Sequence, residues 1–280
     1  MAKRKRRRKI KVFNLLVAII IALTFVAAIM LTTTALYNSF FKHDYTVNQK
    51  DDLLDLPLNV VKSEYIKGDT FKSYEDDEYT SLLGIDVSSH QSDIDWKKVK
   101  AQGIDFAYIR CGYRGYEGGS LFKDKYFMKN YEGAKANGIK VGVYFFSQAT
   151  SVKEAIDEAY FTKEMIDDLE IDLNVVYDLE DIDYAESRIK DTTKEEKTDH
   201  AMAFASKVSD FGYQPMIYTN LEWSKYHFEL EQIYNYPIWY AQYNDEPNID
   251  YYFDIWQYTD KAIIEGIDVP VDLNIMLIKK

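Results

Sequence analysis

From Leu82 onward, short apolar runs alternate with amphipathic segments, the pattern of βα units around a parallel sheet. The runs predict strands at Leu83–Val87, Phe106–Cys111, Lys140–Phe146, Leu173–Glu180 and Tyr213–Tyr218, with helices between them. Ser151 with Glu154, and Thr193 with Glu196, have the spacing of a capping box and mark helix starts near 152 and 194. Beyond those starts, Val152, Ala155, Ile156 and Ala159 form one apolar face, and Ala201, Phe204, Ala205 and Val208 another. Gly103, Gly138 and Gly212 each follow a predicted helix, where a left-handed stop costs glycine least. After Tyr218 the rhythm shortens: Pro237–Ala241, Asp254–Tyr258 and Asp272–Leu277 read as strands, with intervals too short for full crossover helices. Eight strands with five βα units predict an irregular barrel of the α/β class.

The chain before Leu82 is built differently. No charged residue lies between Lys11 and Lys42, and Leu15 to Leu31 is apolar apart from Thr24, a stretch of about 20 residues that can cross a bilayer as a helix. The Lys and Arg cluster ahead of it belongs on the cytoplasmic side. The expectation is a basic cytoplasmic tail at 1–11, an uncleaved single-pass anchor and flank at 12–41, an extracellular stalk at 42–81 and an exported domain at 82–280. A cleaved signal peptide is the rival, but its apolar region usually runs only about 7–15 residues and ends at a small-residue site, which is not evident here. Within the stalk, the cluster Leu53, Leu54, Leu56, Leu58, Val60 and Val61 has a second reading, as a strand or turn packed on the domain.

Composition narrows the function. With 47% hydrophobic and 15% aromatic residues the chain can bury a sizeable core. A single cysteine, Cys111, rules out an internal disulfide framework, and without a His–Cys arrangement it reads as a small buried hydrophobe. The net charge of −12 hides an asymmetry, because eight basic residues lie within the first eleven positions and leave −20 after Lys11. So acidic a domain repels a phosphate backbone, which makes nucleic acid a poor partner. The histidines His43, His90, His200 and His227 show no HxH or HxxxH spacing, and neither a metal nor a cofactor is expected.

Chemistry points to carboxylates. In Val175-Val176-Tyr177-Asp178-Leu179-Glu180 an apolar strand ends in two acids spaced i, i+2, so both leave the same face of the sheet at a strand's C-terminal end, where barrel enzymes gather catalytic groups. Held together, such a pair can keep one proton near neutrality, as glycosidases require. Taken alone, with Asp181 following, the same motif also fits a solvated loop. Asp86 closes the first strand and Asp272 opens the last, and in a closed barrel those strands are neighbours, which brings two further acids to the same mouth.

The motifs GIDVSSHQSDIDW from Gly84, IRCGYRG from Ile109, GIKVGVYFFSQA from Gly138, VVYDLED from Val175, PMIYTN from Pro215, PIWYAQY from Pro237, IWQYT from Ile255 and VDLN from Val271 follow one another along Leu83 to Ile278. In this content and order the chain resembles glycoside hydrolase family 25, the lysozymes typified by the fungal Chalaropsis enzyme and several phage endolysins. The resemblance implies a TIM-like (β/α)5(β)3 barrel that hydrolyses the β-1,4 bond between N-acetylmuramic acid and N-acetylglucosamine in peptidoglycan. It makes Glu180 the proton donor, Asp178 its partner, and Asp86 and Asp272 the remaining acids of a four-carboxylate site, with precedent for help from the substrate's 2-acetamido group. Tyr144, Tyr218, Trp239 and Trp256, with Gln242 beside them, are candidate sugar contacts or plain core. Arg110 is either a substrate contact or an ion-pair partner. The alternatives are a non-catalytic wall-binding module and a hydrolase with altered sugar specificity.

Overall fold

A computed structural model describes residues 54–182 and 187–280. The basic tail, the expected anchor and the stalk before residue 54 lie outside them. Among the described residues no helix is long and apolar enough to cross a membrane.

In chain order the elements are β1 (Ile66–Lys67), β2 (Ser73–Tyr74), β3 (Tyr79–Val87), α1 (Trp96–Ala101), β4 (Phe106–Arg114), β5 (Leu121–Lys123), α2 (Phe127–Ala136), β6 (Lys140–Ser147), α3 (Val152–Ile166) and β7 (Val175–Leu179). There follow α4 (Lys194–Asp210), β8 (Pro215–Asn220), α5 (Leu221–Tyr226), α6 (Leu230–Ile233), β9 (Ile238–Ala241), β10 (Ile255–Ala262) and β11 (Val271–Lys279). The predicted helix starts hold. Thr193 caps α4 with a reciprocal capping box, while Ser151 caps α3 by accepting from the Glu154 N–H and the Glu154 carboxylate turns instead to the N–H of Thr150. The three glycine stops turn with φ of +89°, +69° and +87° at Gly103, Gly138 and Gly212.

The large sheet runs β3-β11-β10-β9-β8-β7-β6-β4-β5, and β3 also pairs with β4, so it closes into a barrel-like surface with helices on its outside. Neighbours from β3 through β4, β6, β7, β8 and β9 to β10 are parallel. Within the closed ring of described strands β11 runs antiparallel, to both β10 and β3. The short β5, not anticipated from sequence, hangs antiparallel on β4.

Each strand divides its side chains between two cores. One set, including Ile85, Ile109, Phe145, Tyr177 and Leu273, packs outward against the helices. The other, including Phe106, Tyr108, Val176, Met216 and Trp239, fills the inside. That interior is aromatic: Tyr108 lies 4.8 Å from the Trp239 ring and 6.1 Å from Phe106. Glycines at the paired positions of the two neighbouring strands make room for it, since a Cβ at Gly84 would lie 2.3 Å from the Phe106 ring, and one at Gly142 2.3 Å from Tyr108.

The stalk assignment requires correction from residue 54 onward. Residues 54–78 form an arm strapped to the barrel instead. Tyr74 is 1% exposed and donates its hydroxyl to the Val60 carbonyl. The N–H of Asn59 donates to Asp250 O and that of Tyr252 to Pro57 O, and the N–H of Lys72 donates to the Tyr258 hydroxyl. Val60, Val61 and Ile66 have too few apolar neighbours to form a core of their own, and they bury by packing on the main one.

Gly142→Ala should lower stability by about 1–3 kcal/mol, because the added methyl has no rotamer that avoids the buried Tyr108 ring. Urea unfolding should show a lower midpoint at unchanged slope, and an unaltered midpoint would mean that the interior is loosely filled.

Candidate active site

The C-terminal ends of the parallel strands share one rim. Asp86 from β3, Arg110 from β4, Tyr144 and Phe146 from β6, Asp178 from β7 and Glu180 just beyond it line one cavity there. Tyr218, Trp239, Tyr243, Gln257 and Asp272 complete the lining of this pocket of about 190 Å³. All four acids expected from sequence therefore meet. Register explains why: Asp272 is the direct partner of Asp86 across the β11–β3 ladder, and Asp178 is level with Phe146 on β6.

A buried hydrogen-bond chain orients Asp86. Trp239 Nε1 donates to Asn274 Oδ1 (2.8 Å), and Asn274 Nδ2 donates to Asp86 Oδ2 (2.8 Å). Gln257 Nε2 donates to the same oxygen (2.8 Å). The hydroxyls of Tyr218 and Tyr243 point at Gln257 Oε1 (3.0 and 3.1 Å), which turns the amide's NH₂ towards Asp86. Two amide donors on one carboxylate oxygen favour its charged form.

With this geometry, comparison with known proteins is decisive. The family model for glycosyl hydrolases family 25 matches residues 85–267. The chain belongs to glycosyl hydrolase family 25. The autolytic lysozyme of Clostridium acetobutylicum is 26% identical over 199 residues, covering 69% of this chain and 55% of that protein. YegX of Escherichia coli K12, an uncharacterized protein, is 31% identical over 204 residues, covering 70% of this chain and 69% of its own. Among solved structures, a family 25 glycosyl hydrolase from Bacillus anthracis superposes with a TM-score of 0.59 at 24% identity, covering 70% of this chain and 88% of that one. The modular autolysin LytC from Streptococcus pneumoniae, in complex with a synthetic peptidoglycan ligand, gives 0.63 at 23% identity and covers 70% of this chain and 46% of that one. These likenesses below 25% identity show the fold alone. The chain spans about half the length of the two autolysins.

In this family 25 chain, burial sets the protonation of the acids. It raises Asp86 to about 6 against the pull of its two amide donors. It raises Glu180 to about 7, with the charge of Asp86 adding to the effect and hydrogen bonds to Asp178 and Tyr218 opposing it. Asp178 is pushed well above the usual carboxylate range by burial, then by the charges of Glu180 and Asp86, and Arg110 pulls the other way. Asp272 reaches about 9 through burial and the charges of Asp86 and Asp260. Asp178 and Glu180 are hydrogen-bonded to each other, so they titrate as a pair that holds a proton near neutrality. The other Asp178 oxygen, Oδ1, is buried with no hydrogen-bond partner among the described residues.

Arg110 is an ion-pair partner at the edge of the site. It lines the pocket, and its Nε and Nη2 also hold the buried Asp124 at 3.0 and 2.9 Å. Two expected contacts are misplaced. Trp256 faces the helices, because its ladder neighbour on β9 is the outward Tyr240, while the inward Trp239 pairs with Ile255. Its Nε1 donates to the carbonyl of Gln242, whose side chain turns to the Asn248 N–H, so neither residue lines the pocket. Sequence reasoning missed Gln257, Tyr243, Phe146 and Asn274. Strand parity points to Gln257 and Asn274, which lie at even spacing from the inward Ile255 and Asp272. The Cys111 thiol is buried and pushed up to about 12, consistent with the inert reading.

Raised carboxyl values tie stability to pH. Each acid shifted above its unfolded value contributes stability that is complete below that unfolded value and is lost as pH rises through the folded one. Unfolding temperature should therefore fall between about pH 5 and about pH 9. Asp272→Asn, which cannot ionise, should unfold with the wild type at the acid end and above it at the alkaline end. Parallel curves would show that Asp272 carries no such load.

Proposed function

We propose that this chain is a lysozyme-type peptidoglycan hydrolase that cleaves the β-1,4 bond between N-acetylmuramic acid and N-acetylglucosamine. The observation that carries this reading is the meeting of Asp86, Asp178, Glu180 and Asp272 at one pocket, with carboxyl values spread around neutrality. Membership of family 25 and the likeness to an autolytic lysozyme support it. On this reading the barrel is the TIM-like (β/α)5(β)3 form.

Glu180 is the proton donor. It is half-buried where Asp178 is only 7% exposed, so it presents its carboxyl to the leaving oxygen while Asp178 stands behind it. As the glycosidic bond breaks, the one proton held by the Asp178–Glu180 pair passes through Glu180 to that oxygen, and the negative charge left on the pair faces the positive charge developing at the sugar. The unpartnered Asp178 Oδ1 suits the N–H of the substrate's 2-acetamido group, whose carbonyl oxygen attacks the anomeric carbon as the leaving group departs; water, deprotonated by Glu180, then opens the resulting oxazolinium ion from the vacated face, which gives retention and restores the acid. Asp86 supplies the fixed negative charge, and Asp272 stays protonated beside it. Tyr144 and the half-exposed Tyr243 offer ring faces to the sugar. Tyr218 and Trp239 form the floor. The N-terminal segment anchors the enzyme with its N-terminus inside the cell and the hydrolase outside, against the wall.

Glu180→Gln should slow clearing of wall suspensions by about 10²–10⁴-fold, with mass spectrometry of wild-type products showing muramic acid at the reducing ends. A variant that clears walls as fast as wild type would remove Glu180 from the mechanism. The rate should rise as Asp86 ionises near 6 and fall as the proton of the Glu180 pair is lost near 7. A rate that keeps climbing well above neutrality would contradict the assignment of the acid.

A further inference from the structure

The carboxylate pocket, at about 190 Å³, is smaller than the roughly 300–1,000 Å³ of sites that enclose a drug-sized ligand. A polysaccharide gripped there must continue over the rim. On the side of Tyr243 a second cavity of about 520 Å³ opens, and Tyr243 lines both. Its other walls include Asp69, Thr70 and Lys72 from the arm, Asn244 from the loop after β9, and Thr259 and Asp260 from β10. The arm residues precede the stretch matched by the family model, so this wall lies outside what the family defines.

The cleft is a built feature. The Tyr258 hydroxyl receives the Lys72 N–H at 3.1 Å and donates to Thr70 O at 3.0 Å, which fixes the arm's backbone along the cavity. Lys72 is 8% exposed, and its ammonium reaches the carbonyl and carboxylate of Asp245 at 3.3 and 3.4 Å, joining the arm to the opposite loop. What remains accessible is a half-exposed tyrosine ring with hydroxyl, amide and carboxylate groups around it. Rings take the C–H faces of a pyranose, and polar groups take its hydroxyls.

We propose that this cleft is a subsite for the glycan strand beyond the sugar held at the carboxylates, with the arm supplying one wall. The assignment rests on the hydrolase reading and adds to it a preference for longer strands. The test uses full-length protein and stem-free glycan oligosaccharides of increasing length. For wild type, kcat/KM rises with length past the shortest substrate cleaved. Asp69→Ala with Thr70→Ala, and separately Asn244→Ala on the facing loop, remove at least about fivefold of that gain and leave the shortest substrate unaffected. All three are exposed, so the fold should tolerate both variants. A wild-type rate independent of length, or variants that keep the gain, would overturn the subsite. So would a gain seen only when stem peptides are attached, which would assign the cleft to peptide. Calorimetric titration of the same oligosaccharides into Glu180→Gln protein reads the cleft without turnover. There the arm and loop substitutions weaken binding of long but not short chains, and equal affinities overturn the subsite whatever the activity. Wild type that binds long chains and cleaves none would instead sink the hydrolase reading.

Discussion

Four carboxyl groups share one small, poorly solvated mouth, and most of the site can be understood as the means of keeping them there. Asp86 and Asp272 stand opposite each other on an antiparallel ladder, where side chains sit about 5 Å apart. Two full charges at that distance would repel by roughly 3 kcal/mol at an effective dielectric constant near 20. The protein meets this by ionising unevenly. Asp86 receives two amide N–H donors and is the easiest of the four to ionise, at about 6. Its charge then helps to raise the other three. A site with one anion held by amide donors and more reluctant acids beside it is what proton donation near neutrality needs.

That arrangement depends on the layer below it. One of the two donors to Asp86 is Asn274, which is oriented by the indole of Trp239, and Trp239 packs 4.8 Å from Tyr108 and 5.2 Å from Tyr218. The rings fit only because Gly84 and Gly142 carry no side chains. The electrostatics at the rim therefore inherit their precision from close packing in the interior, where a methyl group too many has nowhere to go.

The sequence revealed those parts of the fold that are written locally. Helix starts at 152 and 194, the glycine stops and most strand positions follow from capping, backbone conformation and apolar runs. The convergence of Asp86 and Asp272 was also legible, since first and last strands of a closed sheet must meet. What failed was parity. Strands buried on both faces show near-continuous apolar runs, so nothing local tells inward from outward. The motif IWQYT marks the strand but not its inward residue, so Trp256 reads equally as sugar contact or core, and the inward position is Gln257, one residue along. The arm stays open between two readings for another reason: its few apolar residues become a packed element only in the presence of a barrel surface that lies far off in sequence.

The two acids of the pair are held by different means. Asp178 lies within β7 and is fixed by the ladder to β6. Glu180 stands beyond the strand's last residue, and its carbonyl is instead gripped by Gln148 Nε2 at 2.9 Å. Gln148 is fully buried, and its own carbonyl accepts from Arg188, which forks onto both oxygens of Glu154 at 2.8 and 3.0 Å. Behind this clamp lies the buried pair of Arg114 and Glu158, at 2.6 Å. On the proposed mechanism Asp178 is the member of the pair that stays still, and a ladder suits it because backbone hydrogen bonds leave it no latitude. A group that must reach a leaving oxygen, release a proton and recover it is better held by side chains just past the strand, where the backbone is positioned and the carboxyl can still turn.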